Sequence, residues 1–338
     1  MNQYFTEVEI KDIGWHIDHR TKVMMMGSCF SENIGQRMKQ LKFQVDLNPF
    51  GILYNPQSIS KSLRLLMEQK TYTAEDLIEH DGIWHSFDHH SRLSSTSKKD
   101  CLKQINDQIR RSHDHLIESE YLILSLGTAW VFELKNSGKI VSNCHKLPAA
   151  EFHRYRLSPS EITSDYNELI SELLRINPNL KILFTVSPIR HWKDGAVENQ
   201  LSKSTLFLAI NQLITDFGTA HCAYFPSYEI VMDELRDYRF YAPDMLHISA
   251  QAIDHIWNKF CSKVITDESH KIIKSIQKVI KAIEHRPRNV QSETHQKFLL
   301  YNVNEINDLM KIFPFLNLAN EKKYFELKLE EHQSNCEQ

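Results

Sequence analysis

The sequence predicts an α/β protein, a three-layer sandwich on a mostly parallel five-stranded sheet, followed by a helical extension. Three observations carry that expectation. Short apolar runs that read as strands recur along the chain, amphipathic helix patterns fill the intervals between them, and after about residue 265 only helical patterning remains.

The first strand is Val23-Met24-Met25-Met26, four apolar residues in a row, as a strand covered on both faces requires. It runs into Gly27-Ser28-Cys29-Phe30-Ser31, and Phe30, Ile34, Met38 and Leu41 then recur at helical spacing. Further strands are expected over Phe43 to Leu47, Tyr121 to Leu126, Lys181 to Val186 and Cys222 to Phe225. Ser158-Pro159-Ser160-Glu161 starts a helix, with a serine cap, proline in the first turn and a glutamate placed to reach back. Ile162, Tyr166, Leu169, Ile170 and Leu173 continue it along one face. Another helix is expected over Asn199 to Phe217, and Ile253, Ile256, Trp257 and Phe260 mark a third. Beyond residue 265, Ile272, Ile273, Ile276, Val279, Ile280 and Ile283 form a stripe flanked by Lys271, Lys274, Lys278 and Lys281, which reads as a solvated face. The expected domains are therefore 1–264, the α/β body, and 265–338, a helical extension packed on it with its last ten or so residues loose.

With 338 residues, 41% hydrophobic and 25% charged, the chain can bury a large core. A net charge of -3 gives no global electrostatic case for a nucleic-acid partner. No stretch of about 18 uncharged apolar residues occurs and the first residues lack a signal-peptide core, so a cytoplasmic protein without membrane insertion is expected. The cysteines at 29, 101, 144, 222, 261 and 336 form no CxxC pair and read as reduced thiols.

Chemistry concentrates at two places. The strand-to-helix elbow presents Ser28 and Cys29 where the first N–H groups and the helix dipole favour a thiolate and an oxyanion. Asp244-Met245-Leu246-His247 precedes the third helix, and its spacing lets the carboxylate accept from one imidazole nitrogen while the other takes a proton from a nucleophile. The plainer alternative is an aspartate capping that helix. Ser187-Pro188-Ile189-Arg190-His191 follows the Lys181 strand, so Arg190 is a candidate for an anionic substrate group and His191 for leaving-group atoms. Histidines 80, 85, 89 and 90, with Asp88, His113 and His115, invite a metal reading, but their spacings match no familiar site and no metal or cofactor is expected.

Nucleophile near the amino end and Asp-x-x-His near the carboxyl end of an α/β body resembles the SGNH, or GDSL-type, hydrolases. The chain resembles in particular the GSCFA family, through Gly27-Ser28-Cys29-Phe30-Ser31, Asn48-Pro49-Phe50-Gly51-Ile52-Leu53-Tyr54-Asn55-Pro56, Ser125-Leu126-Gly127-Thr128-Ala129-Trp130, Asn143-Cys144-His145-Lys146-Leu147-Pro148 and Ser187-Pro188-Ile189-Arg190-His191. Aligning Gly27 with the glycine of Gly-Asp-Ser-Leu puts Cys29 at the nucleophile; a shift of one residue puts Ser28 there. The resemblance implies that Asp244 and His247 orient and deprotonate it, and that the Cys29 N–H and Gly51 hold the oxyanion. At the third oxyanion block, Gly127-Thr128-Ala129, an alanine replaces the superfamily's asparagine, and loss of one such donor costs about 100- to 1000-fold in turnover. Thr128, Asn55 and Asn143 are the candidate substitutes, and His145 and His90 candidate pocket residues. The function implied is an acyl-ester hydrolase or acyltransferase working through a covalent acyl-enzyme on an acylated carbohydrate or other small ester. The alternative is a non-catalytic binding or scaffold protein of the same fold. The acyl group, the acceptor and the oligomeric state are not legible in the residues.

Overall fold

Strands with no polar face must be covered on both sides, and the central strands here have none. The structure, a computed structural model, describes residues 6–336. In chain order it runs β1 (Lys22–Gly27), α1 (Cys29–Gln40), β2 (Gln44–Leu47), α2 (Pro56–Met67), a hairpin of β3 (Ile78–His80) and β4 (Ile83–His85), α3 (Lys98–Ile117), β5 (Tyr121–Leu126), β6 (Trp130–Leu134), β7 (Ile140–Val141), β8 (Phe152–Arg156), α4 (Pro159–Ile176), β9 (Lys181–Val186), α5 (Gly195–Phe217), β10 (Cys222–Tyr224), a short α6 (Ser227–Glu229) running on into a π turn, and α7 (Ala250–Val264). The chain forms two units, one of residues up to 15, 21–37 and 45–263, the other of 16–20, 38–44 and 264 onward.

In the first unit the sheet order is β10-β9-β5-β1-β2, with β1, β5, β9 and β10 paired parallel in register. Residues of one parity, Met24, Met26, Leu122, Leu124, Ile182 and Phe184, pack against α2 to α5. Their neighbours of the other parity, Met25, Ile123 and Leu183, are at most 2% exposed, which explains why these strands read as unbroken apolar runs. Each such side chain stabilises the fold by roughly 1.5–3 kcal/mol on burial. β1 is flanked by β5 on one side and β2 on the other, so the chain leaves β1 in one direction and builds β5, β9 and β10 in the other. That reversal is a topological switch point, and ligands of such sheets sit beyond the carboxyl ends of the strands beside it. Gly27-Ser28-Cys29 and Gly127-Thr128 occupy those ends.

The helix starts follow local chemistry. Ser158 and Glu161 form the reciprocal capping box at α4, and Asn55 Oδ1 accepts the Ser58 N–H at α2, whose first residue is Pro56. The antiparallel set β7-β6-β8 and the β3–β4 hairpin were not expected. Their strands are short and half-exposed without clean alternation, so period-two patterning gives them no voice.

The second unit is built on α8 (Asp267–Glu284), α9 (Glu293–Ile312) and α10 (Ala319–Cys336), around Val279, Leu299, Ile306, Leu318 and Phe325. The final helix therefore reaches into the stretch expected to be loose; the Cys336 side chain and residues 337–338 lie outside the described residues. Within this unit His19 stacks on Phe43 at 3.9 Å between Ser269 Oγ and Leu41 O, and burial lowers its pKa to about 4. Among the described residues no helix is long and apolar enough to cross a membrane.

Candidate active site

The elbow after β1 is over-determined. Gly27 has φ +133°, and a Cβ there would lie 2.1 Å from the Ser125 carbonyl oxygen of the adjoining strand, so only glycine lets β1 and β5 stay paired through the turn. The Gly27 N–H donates to Asn48 Oδ1 at 2.9 Å, and Asn48 Nδ2 donates to Glu32 of α1 at 2.8 Å. Ser28 is buried. Its N–H donates to the Ser125 carbonyl, its hydroxyl pairs with Ser125 Oγ at 2.8 Å, and the same oxygen accepts the Phe30 N–H. Cys29 opens α1, where its N–H has no acceptor within the helix.

Asp244 and His247 lie on the turn that leads toward α7. Asp244 Oδ1 accepts the N–H groups of Leu246 and His247, while His247 Nδ1 donates to Asp244 Oδ2 at 2.5 Å. These bonds hold the Asp244 carboxylate down at a pKa of about 2, the imidazole contributing most. A proton fixed on Nδ1 leaves Nε2 as the acceptor. Asp244 does not cap α7, which begins at Ala250 with Ser249 Oγ accepting the Ala252 N–H. Both side chains of the pair are about half exposed, at 48% and 54%.

The two elements meet at a cavity of about 220 Å³. Cys29, Tyr54 and Ser28 wall one side, and Arg190, His191 and His247 are among the residues that complete it. No hydrogen bond joins Cys29 to His247. The Tyr54 hydroxyl lies 3.8 Å from Cys29 Sγ; burial first, and the thiol beside it second, push its pKa well above the ordinary phenol value, so it remains a donor. His191 sets its ring edge-on to Tyr54 at 5.4 Å, and burial lowers its pKa to about 4.

Beneath the cavity, Lys203 of α5 is fully buried. Its ammonium donates to the carbonyls of Gly127 at 2.7 Å and Ser187 at 2.6 Å, tying the ends of β5 and β9 together. Burial, then the nearby Arg190 charge, bring its pKa down to about 7.

Other expected site residues stand elsewhere. Gly51 is not an oxyanion donor: its N–H is taken by the Asn48 carbonyl at 2.7 Å, and its place is tight against His90, where a Cβ would come within 2.2 Å of the His90 Cβ. The N–H groups of Gly127 and Thr128 both point at the Tyr54 carbonyl, at 2.8 and 3.0 Å, and the Thr128 hydroxyl pairs with Ser202, so neither serves Cys29. Ala129 is buried with its N–H on Ser202 Oγ. Asn55, Asn143, Thr128 and His90 line a second cavity of about 390 Å³, which shares Tyr54 and His191 with the first and adds Trp130 and Phe132. His145 lines neither: it is buried, stacked on His85 at 4.3 Å, with Nε2 on the Ser86 carbonyl and its pKa lowered to about 4 by burial. His85 and His89 turn Nδ1 to Ser94 and Ser86, and among the described residues no group of three or more His, Cys, Asp or Glu is disposed to hold a metal.

Sequence reading passed over Tyr54, Asn48 and Lys203. Lys203 carried a signal. Asn199, Ser202, Lys203, Leu206, Ala209, Ile210 and Leu213 make one buried stripe of α5, apolar except in its first turns. Polar residues continue this buried stripe toward the carboxyl ends of the sheet, and Asn199, Ser202 and Lys203 all bond to the surrounding turns.

The model of the GSCFA family matches residues 22–260, and the model of the GSCFA domain protein, C-terminal domain, matches residues 276–331. No curated protein matches the chain.

Proposed function

The chain belongs to the GSCFA family, and from that premise we propose that it is an SGNH-type esterase or acyltransferase whose nucleophile is the Cys29 thiol. The observation that carries this is the placing of Cys29 and of a carboxylate-oriented imidazole on the walls of one cavity at the sheet's switch point. His247 Nε2 takes the thiol proton; the sulfur attacks an ester carbonyl, and collapse of the tetrahedral intermediate forms a thioester while the alcohol leaves with the proton from His247. Water or an acceptor hydroxyl then attacks the thioester, giving its proton to His247, and the thiol is restored. The oxyanion is held by the Cys29 N–H and the Tyr54 hydroxyl, which takes the part of the missing asparagine. Ser28 is the weaker nucleophile, because its hydroxyl is buried against Ser125. A small acylated carbohydrate or similar ester fits the pair of adjoining cavities.

A second reading, a binding protein that keeps the fold without turnover, is favoured by the third oxyanion block, whose N–H groups are all engaged within the protein. One experiment separates the two. After incubation with activated aryl esters, mass spectrometry should find an acyl group on the Cys29 peptide, lost in Cys29→Ala and retained in Ser28→Ala. An unlabelled Cys29 across the ester panel supports the binding protein.

A further inference from the structure

We infer that the acyl group taken at Cys29 is short and ends in a carboxylate, which Arg190 recognises; this rests on the acyl-enzyme reading above and names its substrate class. The half-buried arginines of the first unit obey a rule with one exception. Arg37 meets Asp254, Arg64 meets Asp165 and Glu172, Arg154 meets Asp194, and Arg156 meets Glu198. Arg190, equally half-buried, has no carboxylate partner among the described residues; its guanidinium donates to the sulfur of Met232 at 3.5 Å, a poor acceptor for a forked cation. A guanidinium taken partly out of water without a counter-ion costs stability, and a site that keeps one leaves a place for an anion.

The surroundings agree. Arg190 lines the Cys29 cavity, none of whose described lining residues is acidic, and Lys203 stands fully buried nearby, close enough for the Arg190 charge to weigh on it. Positive potential in a pocket without an acidic lining is answered by an anionic ligand. Size places that anion on the acyl side. The cavity shared by Cys29 and Arg190 is about 220 Å³, room for a few carbon atoms between thioester and carboxylate, whereas the adjoining cavity of about 390 Å³ is left for the alcohol or acceptor. A terminal carboxylate offers the two oxygens that a guanidinium fork matches.

The test uses the full chain and two alkylating reagents of nearly equal size, iodoacetate and iodoacetamide, with the modified Cys29 peptide quantified by mass spectrometry and glutathione as reference thiol. The ratio of the iodoacetate to the iodoacetamide rate constant should exceed that of glutathione by about tenfold, fall to the glutathione value in Arg190→Gln and recover in part in Arg190→Lys. A ratio equal to that of glutathione, or unmoved by Arg190→Gln, overturns the inference. So does an equal drop with both reagents, which would mean that Arg190 serves the thiolate itself, and so does a Cys29 that reacts with neither. A second arm compares aryl hemisuccinate with aryl butyrate, the former expected to acylate Cys29 faster. No acylation by either, with the anion preference intact, would sink the catalytic reading and leave the anion site standing; equal acylation by both would sink the substrate class alone.

Discussion

The elbow that carries Cys29 and the turn that carries His247 are built on opposite plans. Around Gly27 the turn is tied down by buried, paired polar groups: Asn48 clamps the glycine N–H, Ser28 locks onto Ser125, and the left-handed φ admits no side chain. Around His247 the side chains are half in water, Met245 holds a φ of +60°, and the turn is secured by Asp244 and by an isolated bridge between Tyr241 and Ile248. On the proposed reading, rigidity is invested in the nucleophile and freedom left to the base. A proton carrier must accept from sulfur and donate to the leaving alcohol, and a less constrained turn lets one imidazole do both.

Removing either chemical group should have the largest effect. Cys29→Ala and His247→Ala are each expected to lower acyl transfer by about a thousandfold or more, and His247→Ala, lying on an exposed turn, should leave the thermal unfolding midpoint nearly unchanged. A His247→Ala enzyme of ordinary activity would break the comparison outright. Gly27→Ala should act through the fold: with a backbone oxygen 2.1 Å from the new Cβ, a loss of about 3 kcal/mol or more is expected in urea unfolding. A stable, active Gly27→Ala protein would show the elbow to be less constrained than its bonds suggest.

Lys203 gives a smaller, pH-dependent effect. Its folded pKa of about 7 is below the unfolded value of about 10.4, so between these limits the unfolded chain holds a proton that the folded protein lacks. Unfolding takes up that proton, and stability therefore rises with pH above 7. Buried Cys101, Cys222 and Cys261 and half-buried Cys144, with raised pKa values, oppose this only above about pH 8.5, where unfolded thiols ionise. Urea midpoints should thus climb from pH 7 to 8.5, and the slope should flatten in Lys203→Met. An unaltered slope would assign the proton to another group. Ser28→Ala should be the mildest change, about 2 kcal/mol from the two neutral hydrogen bonds its hydroxyl makes with Ser125 and the Phe30 N–H, with Cys29 still acylated.

The sheet was legible because burial on both faces writes a strand as an unbroken apolar run: Tyr121 to Leu126 and Lys181 to Val186 fall on the structure's own strands. The α4 start was legible for a local reason, since Ser158, Pro159 and Glu161 are a complete capping chemistry within four positions. Donor assignments at the site were not. That Gly51 spends its N–H on Asn48, or that Tyr54 turns its carbonyl to Gly127 and its hydroxyl toward Cys29, depends on how distant loops close over the strand ends, and spacing along the chain contains none of it. Arg190 was visible as a cation after a strand; that no carboxylate among the described residues meets it became visible only once its neighbours were in place.

The most direct measurement is the rate of Cys29 alkylation by iodoacetamide at pH 7 in the natural protein and in His247→Ala, followed by mass spectrometry of the Cys29 peptide with circular dichroism to confirm equal folding. On the proposed mechanism the imidazole draws off the thiol proton, so its loss should slow the reaction by about tenfold or more. Equal rates in the two proteins would mean that thiol and imidazole share a cavity without sharing a proton, and the acyl-enzyme mechanism would fall.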